Sequence, residues 1–298
     1  RIERAQAESD AFLDRAVDEH HLGEEGHSST TKRPRVALVT GAGGGIGLAT
    51  VHALRSRGFN VIGADLNCAR AVEALKMEHV QREVSSLIGG SAHVGEVEFF
   101  ECDVTVSENL QRSLDLAVEN FGEVDLIVNN AGIVDFTTDT RKEWSQVVGV
   151  NLIAAMELTQ MAVTHFQTHK KPGVVVNVAS LGGLFPMAMS PVYAATKAGV
   201  VHYTRSLEHL DKKNGIRVCA VCPGFTATAM VLNQSEELQE KMKSFQGGRW
   251  IEPSLVASTI AAMAVDKKLG AGGTIVRVTT EFGPQIVQPT HRVVELAA

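Results

Sequence analysis

From Arg35 onward, short apolar runs rich in β-branched residues alternate with longer segments of helical character. The runs are RVALVT (35–40), NVIGAD (60–65), VEFFEC (97–102), VDLIVNN (124–130), GVVVNVAS (173–180), IRVCAVC (216–222) and GTIVRV (273–278). The helical segments lie near 46–57, 68–87, 107–121, 140–169, 192–213 and 252–265. Strands that are apolar throughout are typical of a parallel sheet with helices on both faces. The alternation therefore predicts an α/β fold, a doubly wound parallel sheet of about seven strands.

No change in composition divides residues 35–280, so a single domain is expected there, followed by a C-terminal tail at 281–298. The longest departure from the alternation is 224–250, which is a candidate lid over a site. Residues 1–34 are acidic and poor in apolar groups, unlike a signal peptide with its apolar core or an Arg-rich transit peptide. We expect them to be a mobile polar extension.

Composition argues against several classes of protein. The net charge is −6 and no dense block of Lys and Arg occurs, which argues against nucleic-acid binding. No run of about 18 apolar residues occurs, so no membrane span is expected. The four cysteines are too few for a disulfide scaffold. Cys219 and Cys222 form a CxxC inside an apolar run, which favours buried thiols over a metal or redox site. No metal is expected, and reduced thiols favour a cytoplasmic location.

The first apolar run leads directly into TGAGGGIG (Thr40–Gly47), and a helix follows. Glycine lets the backbone turn tightly and approach a pyrophosphate, and the next helix presents its N–H groups and positive dipole end to the phosphates. A purely structural turn is the alternative. The position of TGAGGGIG between the first strand and the first helix favours a dinucleotide site formed by Gly41, Gly45, Ile46 and Gly47.

Asp65 ends the second run and selects the form of the dinucleotide. A carboxylate there can accept hydrogen bonds from both adenine-ribose hydroxyls and repels a 2′-phosphate. The neighbouring positions Leu66, Ala42 and Gly43 offer no cation for such a phosphate. The expected cofactor is therefore NAD, with a helix-capping role for Asp65 as the alternative. Asp103, after the third run, is similarly placed to meet the adenine.

The fourth run ends in Asn129, Asn130, Ala131 and Gly132. Small residues at that point let a nucleotide lie close to the sheet. The two asparagine amides can tie neighbouring strands together.

Tyr193 and Lys197 stand four residues apart on a predicted helix and therefore share a face. An ammonium beside a phenol favours the phenolate and lowers its pKa. Such a phenol can exchange the proton of an alcohol while hydride moves to or from a nicotinamide. Ser180, at the end of the fifth run, could bond the substrate oxygen, and Asn151 could support Lys197 through water. The alternative is an ordinary surface Tyr/Lys pair.

These motifs, with CPGFTAT (Cys222–Thr228), resemble the short-chain dehydrogenase/reductase family over residues 35 to 280. The resemblance implies a Rossmann-type fold, homodimers or homotetramers, and Asn151, Ser180, Tyr193 and Lys197 as the catalytic set. It also implies cofactor contacts from Val104, Asn130, Ala131, Gly132, Tyr193, Lys197, Pro223, Gly224, Phe225 and Thr226. Ser190 stands where the members that this chain resembles most have glutamine, which holds the substrate hydroxyl in those proteins.

Apolar residues flank the predicted acid/base and suggest a hydrophobic substrate pocket. They are Phe185, Met187, Met189, Phe225 and Met230. With Ser180, Ser190 and Tyr193 they suit a bulky secondary alcohol or its ketone, such as a hydroxy fatty acid or a prostaglandin-like alcohol. Core packing is the alternative for each apolar residue. For the whole chain, the alternatives are a non-catalytic dinucleotide-binding protein that senses redox state, and an epimerase or dehydratase on the same fold.

Overall fold

The computed structural model describes residues 33–76, 94–134 and 141–288. Within these residues the strands are β1 (Val36–Thr40), β2 (Asn60–Asp65), β3 (Val97–Glu101), β4 (Leu126–Asn129), β5 (Gly173–Val178), β6 (Ile216–Pro223), β7 (Ile275–Thr279) and β8 (Gly283–Ile286). They form one sheet in the order β3-β2-β1-β4-β5-β6-β7-β8. The first seven strands pair in parallel, as the alternation predicts.

The eighth strand, β8, differs from the prediction. It pairs antiparallel with β7, in a segment that was expected to be a tail. Its sequence is GPQI, and both glycine and proline are depleted in strands. The sequence pattern therefore gives no indication of it.

The helices connect and cover these strands. They are α1 (Gly45–Arg55), α2 (Ser107–Phe121), α3 (Arg141–Val148), α4 (Ala154–Thr168), α5 (Pro191–Ser206), α6 (His209–Asn214), α7 (Ala229–Leu232), α8 (Glu236–Ser244) and α9 (Pro253–Val265). A π-helical turn, Gly149–Ile153, joins α3 to α4, and a short 3-10 helix, Leu181–Gly183, follows β5. Residues 69–76 are also helical, and the rest of the helix predicted for 68–87 lies outside the described residues. The predicted extension at 1–34 lies outside them except for Arg33 and Pro34.

The core lies on both faces of the sheet. Ala37 and Val39 of β1 pack with α1 and α9, whereas Val36 and Leu38 pack with α2 and α4. Successive strand residues point to opposite faces, so a strand covered on both sides must be apolar at every position. This explains why the runs in the sequence do not alternate with polar residues.

One continuous helical stretch among the described residues, Trp144–Thr168, is long and apolar enough to cross a membrane by length and composition. Its buried residues in α4 include Leu158, Ala162 and Phe166, which belong to the core cluster that covers the sheet. Packing within the domain therefore accounts for part of its apolar composition.

The order of the strands determines where a ligand can bind. β1 lies between β2 and β4, so the chain runs outward from β1 in both directions across the sheet. At such a switch point, the loops after neighbouring strands separate and leave a crevice at the carboxyl edge. The glycine turn after β1 and the Asn130–Gly132 segment after β4 both lie at this edge.

Candidate active site

The glycine turn has a backbone that side chains would not allow. Gly41 and Gly45 have φ values of 65° and 53°, in the left-handed region. A Cβ at Gly47 would collide with the Gly41 carbonyl oxygen. No side chain caps the N-terminus of α1, and its first turn contains no acidic residue. The first N–H groups of α1 are therefore available to an anion, as a pyrophosphate requires.

Thr228 also lies at this helix terminus, although it was not among the predicted site residues. A Cβ at Gly45 would lie 2.9 Å from the Thr228 Cγ2 atom. The loop after β6 therefore comes back to the glycine turn. The position of Thr228 at the end of the CPGFTAT motif was the signal that could have identified it.

Asp65 connects the second strand to the glycine turn. Its Oδ2 accepts a hydrogen bond from the Gly43 N–H at 2.8 Å, and its Oδ1 accepts one from the Asn67 N–H at 2.9 Å. A Cβ at Gly43 would lie 2.6 Å from the Asn67 carbonyl oxygen, so no larger residue fits there. Each carboxylate oxygen keeps a second acceptor position, which is what two ribose hydroxyls require. Leu66 beside it is exposed.

Asp103 and Val104 follow β3 at the same edge. The Asp103 Oδ1 accepts hydrogen bonds from the Thr105 N–H and from the Thr105 hydroxyl, at 2.9 and 2.7 Å. These bonds fix the carboxylate in a tight turn, and Val104 is buried beneath it.

Asn130 ties β4 to the glycine turn. Its side-chain amide donates to the carbonyls of Thr40 and Gly41 at 2.9 and 3.0 Å. The N–H groups of Asn130 and Ala131 both donate to the Thr40 hydroxyl at 3.1 Å. The turn and the segment after β4 therefore form one connected unit.

A buried polar network holds the two site-bearing helices against the sheet. The Asn129 side-chain amide donates to the Thr159 hydroxyl of α4 and to the side-chain Oδ1 of Asn177 on β5, at 2.9 and 2.8 Å. The Asn177 amide in turn donates to the Thr204 hydroxyl of α5 at 3.0 Å. Because these groups satisfy one another away from water, they fix α4 and α5 at defined positions on the strands.

Asn151 lies on the π-helical turn and is 1% exposed. Its Oδ1 accepts from the Ile133 N–H and its Nδ2 donates to the Ile133 carbonyl, both at 2.8 Å. The side chain also reaches the Thr196 hydroxyl on α5 at 3.3 Å. Single π turns inside helices are frequent at functional sites. Here the turn directs Asn151 toward the segment after β4.

Lys197 is 4% exposed, and its Nζ donates to the Val178 carbonyl at 2.8 Å. A Cβ at Gly132 would lie 3.4 Å from the Lys197 Nζ and 3.5 Å from the Asn151 Oδ1. Gly132 therefore lies beside both polar groups, where a Cβ would be at ordinary contact distance from each. Burial lowers the pKa of Lys197 from 10.5 to about 8.

Tyr193 faces Ser180, whose hydroxyl hydrogen-bonds the phenol. The Lys197 Nζ lies 5.7 Å from the centre of the Tyr193 ring. Burial raises the pKa of Tyr193, and the Ser180 bond opposes that rise only in part. The expectation that Lys197 lowers this pKa is wrong for the protein alone, because burial is the largest effect and the ammonium is bonded to a carbonyl.

The predicted substrate residues differ in how they meet this centre. A Cβ at Gly182 would lie 3.2 Å from the Met187 sulfur, 3.5 Å from the Ser180 Oγ and 3.7 Å from the Tyr193 ring. Met187 is therefore close to the acid/base, whereas Phe185 is 55% exposed. Phe225 and Met189 are half-buried, and Met230 is exposed. Ser190, the residue before α5, is 0% exposed and so has no surface in the cleft.

The CxxC cysteines are buried and lie in different core clusters, as their spacing on a strand predicts. Burial raises the pKa of Cys219 and of Cys222 to about 12, which keeps both thiols protonated. Within 33–76, 94–134 and 141–288, no group of three or more His, Cys, Asp or Glu side chains could hold a metal ion.

Comparison with known proteins identifies the family of the chain. The family model described as short chain dehydrogenase matches residues 35–239. The chain belongs to the short-chain dehydrogenase family. The family, the fold class and the dehydrogenase class predicted from the sequence are therefore confirmed.

Individual family members resemble the chain over most of its length. Human 15-hydroxyprostaglandin dehydrogenase (NAD(+)) is 32% identical over 269 residues, which cover 84% of this chain and 92% of the relative. A 3-oxoacyl-(acyl-carrier-protein) reductase of Thermotoga maritima is 30% identical, covering 82% and 96%. The crystal structure of levodione reductase superposes with a TM-score of 0.72 at 27% identity, covering 84% and 98%. Resemblance to the prostaglandin enzyme was also expected from the sequence around Tyr193 and is confirmed.

Proposed function

We propose that this short-chain dehydrogenase uses NAD to oxidise a bulky, apolar secondary alcohol to its ketone, or catalyses the reverse reaction. The observation that carries the proposal is the cluster around Gly132, where the buried side chains of Asn151 and Lys197 converge beside the half-buried Tyr193 and Ser180. A protein that only binds a dinucleotide has no need of a phenol, a hydroxyl and an ammonium at one point.

The residues at the carboxyl edge fit NAD. The uncapped terminus of α1 suits the pyrophosphate, and Asp65 has two acceptor positions left for the ribose hydroxyls. Bound NAD would supply the acceptor for the hydride of the alcohol carbon. The human 15-hydroxyprostaglandin dehydrogenase, which is 32% identical, carries NAD(+) in its name. The proposed contacts are Gly41, Gly45, Ile46, Gly47, Asp65, Leu66, Asp103, Val104, Asn130, Ala131, Gly132, Tyr193, Lys197, Pro223, Gly224, Phe225 and Thr226.

In the proposed mechanism, Tyr193 is the general base during oxidation. Its phenolate oxygen takes the hydroxyl proton of the alcohol, while Ser180 donates a hydrogen bond to the same substrate oxygen. A phenol with a pKa above 10 needs roughly 4 kcal/mol of differential stabilisation to ionise near neutral pH. The Lys197 ammonium can supply part of it once its bond to Val178 is exchanged for the phenolate.

Asn151 acts on the geometry of the centre. Its two bonds to Ile133 hold the segment after β4, and its contact with Thr196 reaches α5 one residue before Lys197. Gly132 lies beside both the Asn151 Oδ1 and the Lys197 Nζ. Asn151 therefore sets the distance between the cofactor side and the catalytic helix.

For the substrate we propose a hydroxy fatty acid or a prostaglandin-like alcohol. Met187 lies beside the acid/base, and Phe185 and Phe225 extend the apolar lining toward the surface. The 224–250 segment contains α7 and α8 and is the proposed lid. Because Ser190 is fully buried, any contribution it makes comes through the start of α5.

We extend the proposal to assembly and location. Ile153 and Met156 expose 54% and 38% of their surface beside α5, which suits burial against another copy in a homodimer or homotetramer. The four cysteines are all free, which fits a reducing compartment such as the cytoplasm. Light scattering of the purified protein would reveal the oligomer.

Turnover of a panel of alcohols tests the function. The protein is given NAD with bulky apolar secondary alcohols, with short alcohols and with small polar diols, and the absorbance of the reduced cofactor is followed. We expect the largest kcat/KM for the bulky apolar alcohols. Binding of NAD without turnover of any alcohol would instead support the non-catalytic dinucleotide-binding protein. Preference for small diols would assign the apolar side chains to the core.

A further inference from the structure

Gln246, just beyond the end of α8, contacts the loop after β6 through its side-chain amide. We infer that Gln246 is a positioning residue that holds Gly224 and Phe225 as one wall of the alcohol site. The inference rests on the proposed function. It adds a residue outside the predicted sites, 21 positions from the loop that it holds.

The side-chain amide of Gln246 uses both of its ends. Its Oε1 accepts from the Phe225 N–H at 2.9 Å, and its Nε2 donates to the Phe225 carbonyl at 2.7 Å. The Nε2 also donates to the Arg249 carbonyl at 2.6 Å. A residue bonded at both its N–H and its C=O by one amide has little freedom to rotate, so Gln246 fixes the backbone of Phe225.

The backbone around Gln246 is shaped for these bonds. Gly247 and Gly248 have φ values of 72° and 77°, which turn the chain back after α8. A Cβ at Gly224 would lie 2.9 Å from the Gln246 Oε1, so the close approach needs glycine there. The Thr280 hydroxyl, after β7, donates to the Gln246 carbonyl at 2.8 Å and anchors the residue to the sheet.

The proposed lid begins and returns at this same point. The Ile251 N–H donates to the Phe225 carbonyl at 3.1 Å, and the Ala227 N–H donates to the Ile251 carbonyl at 2.9 Å. Residues between Ala227 and Gln246, including α7 and α8, therefore extend from a base that Gln246 closes. If the lid moves about this base, either the bonds between Gln246 and Phe225 break or the Gly224–Phe225 loop moves with the lid.

The held loop reaches the catalytic centre through packing. A Cβ at Gly224 would lie 3.3 Å from the Leu181 Cδ1, and Leu181 directly follows Ser180. Loss of the Gln246 bonds would thus loosen the wall that faces Ser180 and Tyr193.

The test compares three variants of the full-length protein. Gln246→Met keeps the length of the side chain and removes every hydrogen bond. Gln246→Glu keeps the acceptor for the Phe225 N–H but lacks the donors for the two carbonyls. Gln239→Met is the matched control, because the Gln239 amide donates to the carbonyls of Leu232 and Gln234 inside the lid, away from Phe225.

We expect Gln246→Met and Gln246→Glu to raise the KM for a bulky apolar alcohol at least about tenfold, because small displacements of positioning groups are costly. The KM for 2-propanol, a small alcohol with less contact to the wall, should stay within about twofold, as for Gln239→Met. Equal KM increases for both alcohols, or KM values like those of the control, would overturn the inference.

Amide hydrogen exchange, measured without cofactor or alcohol, separates this inference from the proposed function. The Phe225 amide should exchange faster in Gln246→Met, yet remain protected in Gln246→Glu and Gln239→Met. Unchanged exchange of the Phe225 amide in Gln246→Met would overturn the inference that Gln246 fixes Phe225, even if the enzyme is active. If the wild-type protein oxidises no alcohol, the proposed function fails, but the exchange result still shows whether Gln246 fixes the backbone of Phe225.

Discussion

Asp65→Asn should remove most of the preference of this dehydrogenase for NAD over NADP. The substitution removes one charge and keeps the size of the side chain. Both carboxylate oxygens already accept backbone N–H groups, from Gly43 and Asn67. In the variant one oxygen becomes an NH2 group, which faces a donor and can no longer accept a ribose hydroxyl.

The size of the effect follows from these contacts. Loss of one charge-assisted hydrogen bond costs about 1.5–3 kcal/mol, which raises the Kd for NAD about tenfold to a hundredfold. A 2′-phosphate near the carboxylate is repelled by about 4 kcal/mol per unit charge at 4 Å and an effective dielectric constant of 20. Removal of this repulsion strengthens NADP binding. We therefore expect the ratio of the two Kd values to change by at least about a hundredfold.

Calorimetric titration of both cofactors into both proteins measures this ratio. Asp211→Asn is the control, because Asp211 also accepts a backbone N–H, from Gly272 at 2.8 Å, but lies near the amino ends of β6 and β7. Its ratio should match that of the wild-type protein. The reasoning is refuted if wild-type protein binds NADP as tightly as NAD, or if Asp65→Asn leaves the ratio unchanged.

Three further predictions concern the turn, the buried lysine and the sheet. Gly47→Ala should abolish NAD binding in a titration, because its Cβ collides with a carbonyl, whereas Gly44→Ala, with no atom within 4 Å, should bind normally. The pKa of Lys197 falls on folding from 10.5 to about 8, so the unfolded state binds more protons between these values and stability rises with pH there. Lys197→Met should remove this rise in urea unfolding, and a pH dependence like that of wild type would contradict this. At pH 7 the gain of about 3 kcal/mol from removing the buried charge is offset in part by the lost bond to the Val178 carbonyl. Arg217→Lys should lower the free energy of unfolding by about 2–4 kcal/mol, since the Arg217 guanidinium donates to four carbonyls at and just after the end of α9. Arg112→Lys, at an exposed ion pair, is the control and should change the free energy of unfolding little. Equal losses of stability in the two variants would contradict the stabilising role of Arg217.

The local motifs predict which residues meet at the carboxyl edge of the sheet. The glycine turn, Asp65 and Asn130 act through backbone geometry and short side chains at the ends of predicted strands. A parallel sheet brings those ends together in a fixed order, so the sequence positions translate directly into proximity. The spacing of Tyr193 and Lys197 on one helix likewise predicts that they share a face.

Features that depend on distant packing were not predictable. The bonds between Gln246 and Phe225 form only because the chain returns to Phe225 after two short helices, α7 and α8. No periodic pattern in the sequence predicts such a return. The π turn that carries Asn151 lies within a helix predicted as regular over 140–169. The pKa of Tyr193 depends on how deeply its ring is buried, which spacing does not give. The burial of Ser190 is likewise a property of the packed start of α5.

The most direct test of the account compares Tyr193→Phe with Tyr203→Phe. Both remove one phenolic oxygen from α5, but the Tyr203 hydroxyl donates to the Met156 carbonyl at 3.3 Å, outside the cluster around Gly132. With NAD and the best alcohol of the panel, Tyr193→Phe should lose about 10²–10⁴-fold in kcat as expected for an acid/base, while the Kd for NAD changes far less than kcat. Tyr203→Phe should turn over like wild type. Full turnover in Tyr193→Phe would contradict the central claim that this phenol moves the proton.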